Sequence, residues 1–324
     1  MIDLSPPTRD ATSIGEGQLR LNTTLGSPLE QTRELSVTVA GTEGNVMGLL
    51  ARLGNNTGIV TCLPASSLGR RVINEYRAAG IDTDAVVWRD TGRLALYFLE
   101  RASPPIPSRV VYDRTASCFT QLCVDEVDWG YLADSRLIHL TGLTASLGEN
   151  TLAIVNEAAE RARNAGQQVS IDVNYRVQLS TPAQARERLT PLLAAADVIS
   201  CSKRDAEIVF GIDGDATHVA EALAHRFGAH AVLVSDGPRP AAAVADGTAF
   251  SAEPPVTTVV DRVGAGDALI GGFLHGHLHN DPELGLSLGV AAAALALTHH
   301  GDQVHTTLDE LRRLSASFGS DIIR

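Results

Sequence analysis

Apolar runs alternate with amphipathic stretches along most of this 324-residue chain. Residues 57–63, 136–141, 168–173, 197–201 and 230–235 are apolar runs of strand length. Between them, 44–53, 67–79, 148–165, 181–195, 204–210 and 217–227 place apolar residues at helical spacing. Helices rich in small residues are expected at 265–279 and 283–299, with a closing helix near 307–317. Gly80 suits the left-handed position that ends the helix over 67–79. Strands alternating with helices predict a mainly parallel sheet covered on both faces.

Two stretches break the alternation. Residues 17–40 and 86–113 are rich in β-formers, the second interrupted by Pro104, Pro105 and Pro107. They are expected to form a small β-rich lid over the C-terminal edge of the main sheet, where open α/β sheets bind ligands. No internal repeat is visible, so one α/β domain over 1–324 is expected, with lid strands drawn from those two stretches.

Composition narrows the classes. An apolar content of 44% supports a sizeable core, and no run of about 18 apolar residues exists to span a membrane. The N-terminal residues have neither a basic start nor an apolar stretch, so no secretory signal is expected. Cys62, Cys118, Cys123 and Cys201 are scattered, which predicts a reduced, cytoplasmic protein. The net charge is −12, a poor footprint for nucleic acid. Lys203 is the one lysine among 26 basic residues, compatible with either a GC-rich genome or a salt-adapted cytoplasm.

The segment 261–276, DRVGAGDALIGGFLHG, holds the chemistry. Gly264, Ala265 and Gly266 precede a helix expected to begin near Asp267. Small residues there let an anion approach the N–H groups of the first helical turn, which suits phosphoryl transfer. Asp267 stands where it could accept the proton of an attacking hydroxyl. The plainer account makes the glycines a packing turn and Asp267 a helix cap. Neither a dinucleotide fingerprint nor a lysine-bearing phosphate loop is present.

Asp261 to Asp267 resembles the D-T-x-G-A-G-D signature of the PfkB (ribokinase-like) carbohydrate kinases, with Gly271, Gly272 and Phe273 following at that family's spacing. Gly41-Thr42-Glu43-Gly44-Asn45 is similar to its first glycine motif, and the similarity runs over roughly 14–315. Arg262, Ala40 and Pro240 depart from the pattern. The resemblance implies a three-layer α/β/α ribokinase-like fold and ATP with Mg²⁺ as cofactors, and it leaves a monovalent cation open. It implies Asp267 as base and Gly264, Ala265 and Gly266 as anion hole. It also implies that Ser202, Ser235, Gly237 and Arg239 meet the nucleotide, and that Asp205 holds Mg²⁺ through water. Competing accounts make Ser202 a helix cap, Asp205 a first-turn acid and Gly237-Pro238 a plain turn. Arg262 could face either phosphate or solvent.

Within that family, Y-F-x-E at Tyr97–Glu100, Y-x-R-x-x-S at Tyr112–Ser117 and D-x-N-x-R at Asp172–Arg176 resemble the 2-keto-3-deoxygluconate kinases. A sugar acid needs a cation, and arginine can clasp a carboxylate with two parallel hydrogen bonds. Gly41, Asn45, Tyr97, Tyr112, Arg114, Asn174, Arg176 and Asp302 are therefore the expected substrate contacts. Any single arginine in this arginine-rich stretch could equally be a surface residue. The alternatives are a neutral-sugar or nucleoside kinase, and a non-catalytic sugar or nucleotide sensor. His275, His277 and His279 lack a partner that would complete a zinc site. Exposed lid edges would favour a homo-oligomer.

Overall fold

The computed structural model describes residues 7–103 and 105–316. Residues 1–6, Pro104 and position 317 of the last expected helix lie outside that range. In chain order the strands are β1 (Arg9–Ile14), β2 (Gln18–Asn22), β3 (Ser36–Ala40), β4 (Thr57–Val60), β5 (Cys62–Pro64), β6 (Val87–Arg89) and β7 (Ala95–Glu100). They continue as β8 (Arg109–Asp113), β9 (Ser135–Thr141), β10 (Gln168–Asp172), β11 (Val198–Ser202), β12 (Ala231–Asp236), β13 (Arg239–Ala245) and β14 (Thr248–Ala252).

Eight strands form the main sheet in the order β14-β13-β12-β11-β10-β9-β1-β4. It is parallel from β12 to β4, and β13 and β14 add an antiparallel hairpin at one edge. Alternation along a strand builds the three layers. In β12, Val232 and Val234 join one apolar cluster, with Ile154, Leu189 and Val219 from helices Glu149–Asn164, Pro182–Ala194 and Ala216–Phe227. Ala231 and Leu233 join the other, with Leu50, Ile73, Phe273 and Val290 from helices Thr42–Arg52, Ser67–Ala79, Ala265–Leu278 and Pro282–Leu297. The last two helices cross so closely that a Cβ on Gly272 would run into the backbone of Gly289. A substitution there would force them apart.

Three strands were not expected. Strand β1 lies between β9 and the edge strand β4 of the main sheet. Its Thr12 and Ser13 mask it, because their buried hydroxyls donate to the carbonyls of Leu132 at 2.9 Å and His139 at 2.5 Å. The β13–β14 hairpin was also missed. The run 57–63 is two strands, since the chain leaves the main sheet after Val60 and β5 pairs with β6. Residues 204–210 form a single helical turn, Lys203–Asp205, followed by the wider turn Ala206–Phe210.

A second sheet, in the order β3-β2-β7-β8, draws on both β-rich stretches, while β6 belongs with β5. Its register sets Arg20 beside Tyr97 and Tyr97 beside Tyr112, a row of side chains on one face. Among the described residues no helix is long and apolar enough to cross a membrane.

Candidate active site

Helix Ala265–Leu278 starts where the span 265–279 places it, not at Asp267 as the glycine turn suggested, with Gly264 as its N-cap at φ +87°. A side chain at Gly264 would strain the backbone and run into the carbonyl of Asp302. Asp267 is therefore the third helical residue and not a cap. Its carboxylate turns to the neighbouring helix Thr42–Arg52, accepting from Thr42 Oγ1 at 2.5 Å and Asn45 Nδ2 at 2.7 Å. Three positions apart, Thr42 and Asn45 share one helical face, so a single surface supplies both donors. Burial pushes Asp267 up to about 6, while the hydrogen bonds from Asn45 and Thr42 and the charge of Arg176 oppose the rise. A carboxylate in that range accepts a proton more readily than an ordinary one and is still mostly ionised at pH 7.

In front of it lies the helix terminus. The N–H groups of Ala265, Gly266 and Asp267 have no carbonyl four residues back within the helix. Nothing stands within 4 Å of where a Gly266 side chain would project, so this face is open. Together they form an anion site beside a proton acceptor.

Both open onto a cavity of about 360 Å³ at the C-terminal edge of the main sheet. Asp172, Ser202 and Ser235 reach it from the ends of β10, β11 and β12, and Gln18, Tyr97 and Tyr112 from the second sheet. Gly41, Asn45, Arg114, Asn174, Arg176, Asp205, Gly264, Gly266, Asp267 and Asp302 also line it. Gly237 and Arg239 do not. They occupy the β12–β13 hairpin, where Gly237 takes φ +62° and Arg239 donates twice to Asp236, at 2.7 and 2.6 Å. That pairing within the hairpin agrees with the plain-turn account of this segment.

Several predicted residues are already engaged. Arg114 gives Nε, at 2.9 Å, and Nη2 to the buried carboxylate of Glu16, which also accepts from Ser117. Asp302 accepts from Arg20 Nη1 at 2.8 Å and from Tyr97 Oη at 2.7 Å. Ser202 Oγ caps the turn after β11 by accepting from Asp205 N at 3.0 Å, yet still faces the cavity. Burial raises the Asp205 carboxyl, with the Ser202 hydrogen bond and Arg176 opposing. Arg176 and Arg262 are exposed at the cavity wall, and no protein acceptor takes a hydrogen bond from either among the described residues.

Glu16, Gln18, Arg20, Thr42 and Asp172 were not foreseen. Thr42 and Asp172 lie inside motifs already singled out, so their spacing from Asn45 and Asn174 was the available signal. The other three had none. The side-chain oxygens of Gln18, Asn45 and Asn174, three residues that line the cavity, are buried and have no partner among the described residues. His275 pairs with Asn55 at 2.7 Å and the capping His279 with the His275 carbonyl at 2.8 Å, while the buried Nε2 of His277 has no hydrogen-bond partner among the described residues. Among the described residues no cluster of three His, Cys, Asp or Glu could hold a metal.

A 2-dehydro-3-deoxygalactonokinase of Haloferax volcanii is 36% identical over 310 residues, covering 95% of this chain and 96% of that one. A 2-dehydro-3-deoxygluconokinase of Thermoproteus tenax is 26% identical, covering 90% of this chain and 89% of that one. The crystal structure of 2-dehydro-3-deoxygluconokinase from Thermotoga maritima superposes with a TM-score of 0.89 at 29% identity, covering 97% of this chain and all of that one. Residues 9–308 match the pfkB family of carbohydrate kinases, and the chain belongs to that family.

Proposed function

We propose that this protein transfers the γ-phosphoryl group of ATP to the terminal hydroxyl of a 2-keto-3-deoxy sugar acid, the gluconate or galactonate form. One observation carries the reading. A carboxylate raised to about 6 stands beside an open helix N-terminus, at a cavity that also presents arginines. Asp267 takes the proton of the attacking hydroxyl, and the amides after Gly264 receive the charge on the transferred group. Such a reaction asks the protein mainly for positioning and charge stabilisation.

Arg176, with its donors uncommitted, supports recognition of the sugar carboxylate, assisted by the remaining edge of Arg114. Tyr97, Tyr112, Gly41, Gln18 and Asn174 bound the space for the hydroxyls. Ser202, Ser235 and Arg262 are placed for the nucleotide phosphates. Asp205 fits a water-mediated Mg²⁺ contact, being a carboxylate at the cavity wall with no ion pair among the described residues. The ion would supply neutralisation of phosphate charge. The galactonate form is the stronger reading on identity, 36% against 26% for the two relatives. Free cysteines, three of them buried, support a cytoplasmic location, and the edge strand β8 supports pairing with a second copy.

The test is ADP release with ATP, Mg²⁺ and a panel of both epimers, ribose and fructose. Turnover of at least one sugar acid far above the neutral sugars is expected. Equal turnover of ribose or fructose would remove the substrate assignment, and tight binding of ATP and sugar acid without ADP release would establish a sensor instead.

A further inference from the structure

We propose that Asp172, at the end of β10, is a positioning residue for the base, acting through Asn174 to aim the hydroxyl of Thr42 at Asp267. This rests on the reading of Asp267 as the base. The observation is an unbroken chain of hydrogen bonds between two carboxylates. Asn174 Nδ2 donates to Asp172 Oδ2 at 2.7 Å and to Thr42 Oγ1 at 3.3 Å, and Thr42 Oγ1 donates to Asp267 Oδ1 at 2.5 Å. Asp172, Asn174 and Thr42 are each at most 8% exposed, so water competes little for these bonds.

The chemistry of the groups fixes every direction in the chain. At pH 8, above the value near 7 to which burial raises it, Asp172 is a carboxylate that only accepts, so it faces the NH₂ of Asn174 and not its carbonyl oxygen. With one N–H on Asp172, the second is directed at Thr42. A hydroxyl has a single proton, and Thr42 already accepts from Asn174, so that proton points to Asp267. Asp172 also pins the backbone. Its Oδ1 accepts from Asn174 N at 3.3 Å and steadies a residue held at φ +38°, a conformation side chains adopt reluctantly. The same orientation leaves the buried Asn174 Oδ1 without a partner among the described residues.

Without Asp172, Asn174 can turn its carbonyl to Thr42, whose hydroxyl would then donate to Asn174 in place of the base. Asp267 would lose one of its two donors and its fixed rotamer. Asp172 touches no reacting atom in this scheme. Its effect should therefore vanish when the Thr42 hydroxyl is absent, whereas a purely structural role would persist.

The experiment measures kcat and KM at pH 8 with ATP, Mg²⁺ and the better sugar-acid epimer, for Asp172→Ala, Asp172→Asn, Thr42→Val, Asp172→Ala with Thr42→Val, and Asp267→Asn. Asp172→Ala is expected to lower kcat about tenfold, with KM changing less. Asp172→Asn should stay within about threefold of wild type, because its amide oxygen can still accept from Asn174. The double variant should be no slower than Thr42→Val alone, as for two groups acting through one contact. Independent, multiplying losses, a wild-type kcat for Asp172→Ala, or equal losses in Asp172→Ala and Asp172→Asn would each overturn the inference. If Asp172→Ala does not fold, Asp172→Leu, apolar and of the same branched outline, takes its place alone and in the pair. Asp267→Asn separates the two readings. Activity within about tenfold of wild type in that variant removes the base and the inference together. Its loss beside an unaffected Asp172→Ala removes the inference alone.

Discussion

Arg20 Nη1 donates to Asp302 Oδ1 at 2.8 Å, joining a strand of the second sheet to the loop behind the glycine turn. The same guanidinium bonds Asp261, the first residue of the signature, and Asn22. Arg20 is fully buried, and the two carboxylates are at most 6% exposed. A buried cation shared by two buried anions is costly to form and costlier to break. Because Asp302 also abuts Gly264, the cluster sets the second sheet and the anion site in one frame.

Removing that cation alone should therefore be severe. Arg20→Met is expected to lower unfolding free energy by about 3–5 kcal/mol, because two carboxylates lose their partner. Adding Asp261→Asn and Asp302→Asn should recover much of the loss. Denaturant titration of the single and triple variants gives the comparison. A single variant within about 1 kcal/mol of wild type would mean that water or protons already compensate those carboxylates.

The raised carboxyl of Asp267 sets the acid limb of activity. The base must be ionised to take a proton, so kcat/KM should fall as pH drops through about 6, not through the usual carboxylate range near 4. Arg176 and Asp302 face the same group and act in opposite directions, and Asp172, itself raised by burial to about 7, is a further carboxyl in the same cavity. A profile flat down to pH 4.5 would contradict this environment.

The same shift predicts a stability change of opposite sense. The native state binds the Asp267 proton more tightly than the unfolded chain, so ionisation destabilises the fold as pH rises from about 4 to 7. Asp267→Asn removes that contribution. Relative to wild type, the variant should gain about 2–3 kcal/mol between pH 4 and pH 7, at about 1.4 kcal/mol per pKa unit. It should lose about 10²- to 10⁴-fold in kcat. Unfolding curves at the two pH values, differenced against wild type, isolate the titration from any lost hydrogen bond.

The contrast between local and distant partners explains how much of this site the chain disclosed. The signature around Asp267 is contiguous, and its glycines are demanded by one turn, so residue order alone exposed it. Helix Ser67–Ala79 showed its C-terminal Gly80 in the same local way. Arg20 meets Asp261 and Asp302 across more than 240 positions, and nothing about an arginine in a polar strand marks it as buried. Glu16 is hidden for the same reason. Strand β1 failed the apolar test because its hydroxyls are satisfied inside the sheet, by contacts that only the fold supplies. Arg239 pairs with Asp236 in its own hairpin, a contact close in sequence that was not weighed for it.

Gly264 offers a direct trial of the anion site. Alanine there must hold φ near +87° and would meet the Asp302 carbonyl, so the first helical turn has to shift. Because a displacement of about 1 Å can cost about 10²-fold in rate, Gly264→Ala is expected to lower kcat by at least that much. Gly266→Ala, with open space at its Cβ, should leave the fold intact and instead crowd the approaching anion. Equal, near-wild-type kcat in both variants would show that the phosphoryl group sits elsewhere.

Two of the cavity arginines, Arg114 and Arg176, should separate recognition from support. Arg114 has committed Nε and Nη2 to Glu16, so Arg114→Ala leaves a carboxylate only 3% exposed without its cation. Its main expected effect is lost stability, partly restored by adding Glu16→Gln. Arg176 has no such partner, faces Asp267, Asp172 and Asp205, and can release its donors to a ligand at little structural cost. Arg176→Ala should keep the melting temperature within a few degrees and raise KM for the sugar acid about 10- to 100-fold, the loss of charge-assisted hydrogen bonds worth roughly 1.5–3 kcal/mol. Arg176→Lys should recover only part, since lysine lacks the planar fork. An unchanged KM in Arg176→Ala, with a higher KM in the Arg114→Ala, Glu16→Gln pair, would reassign the carboxylate to Arg114.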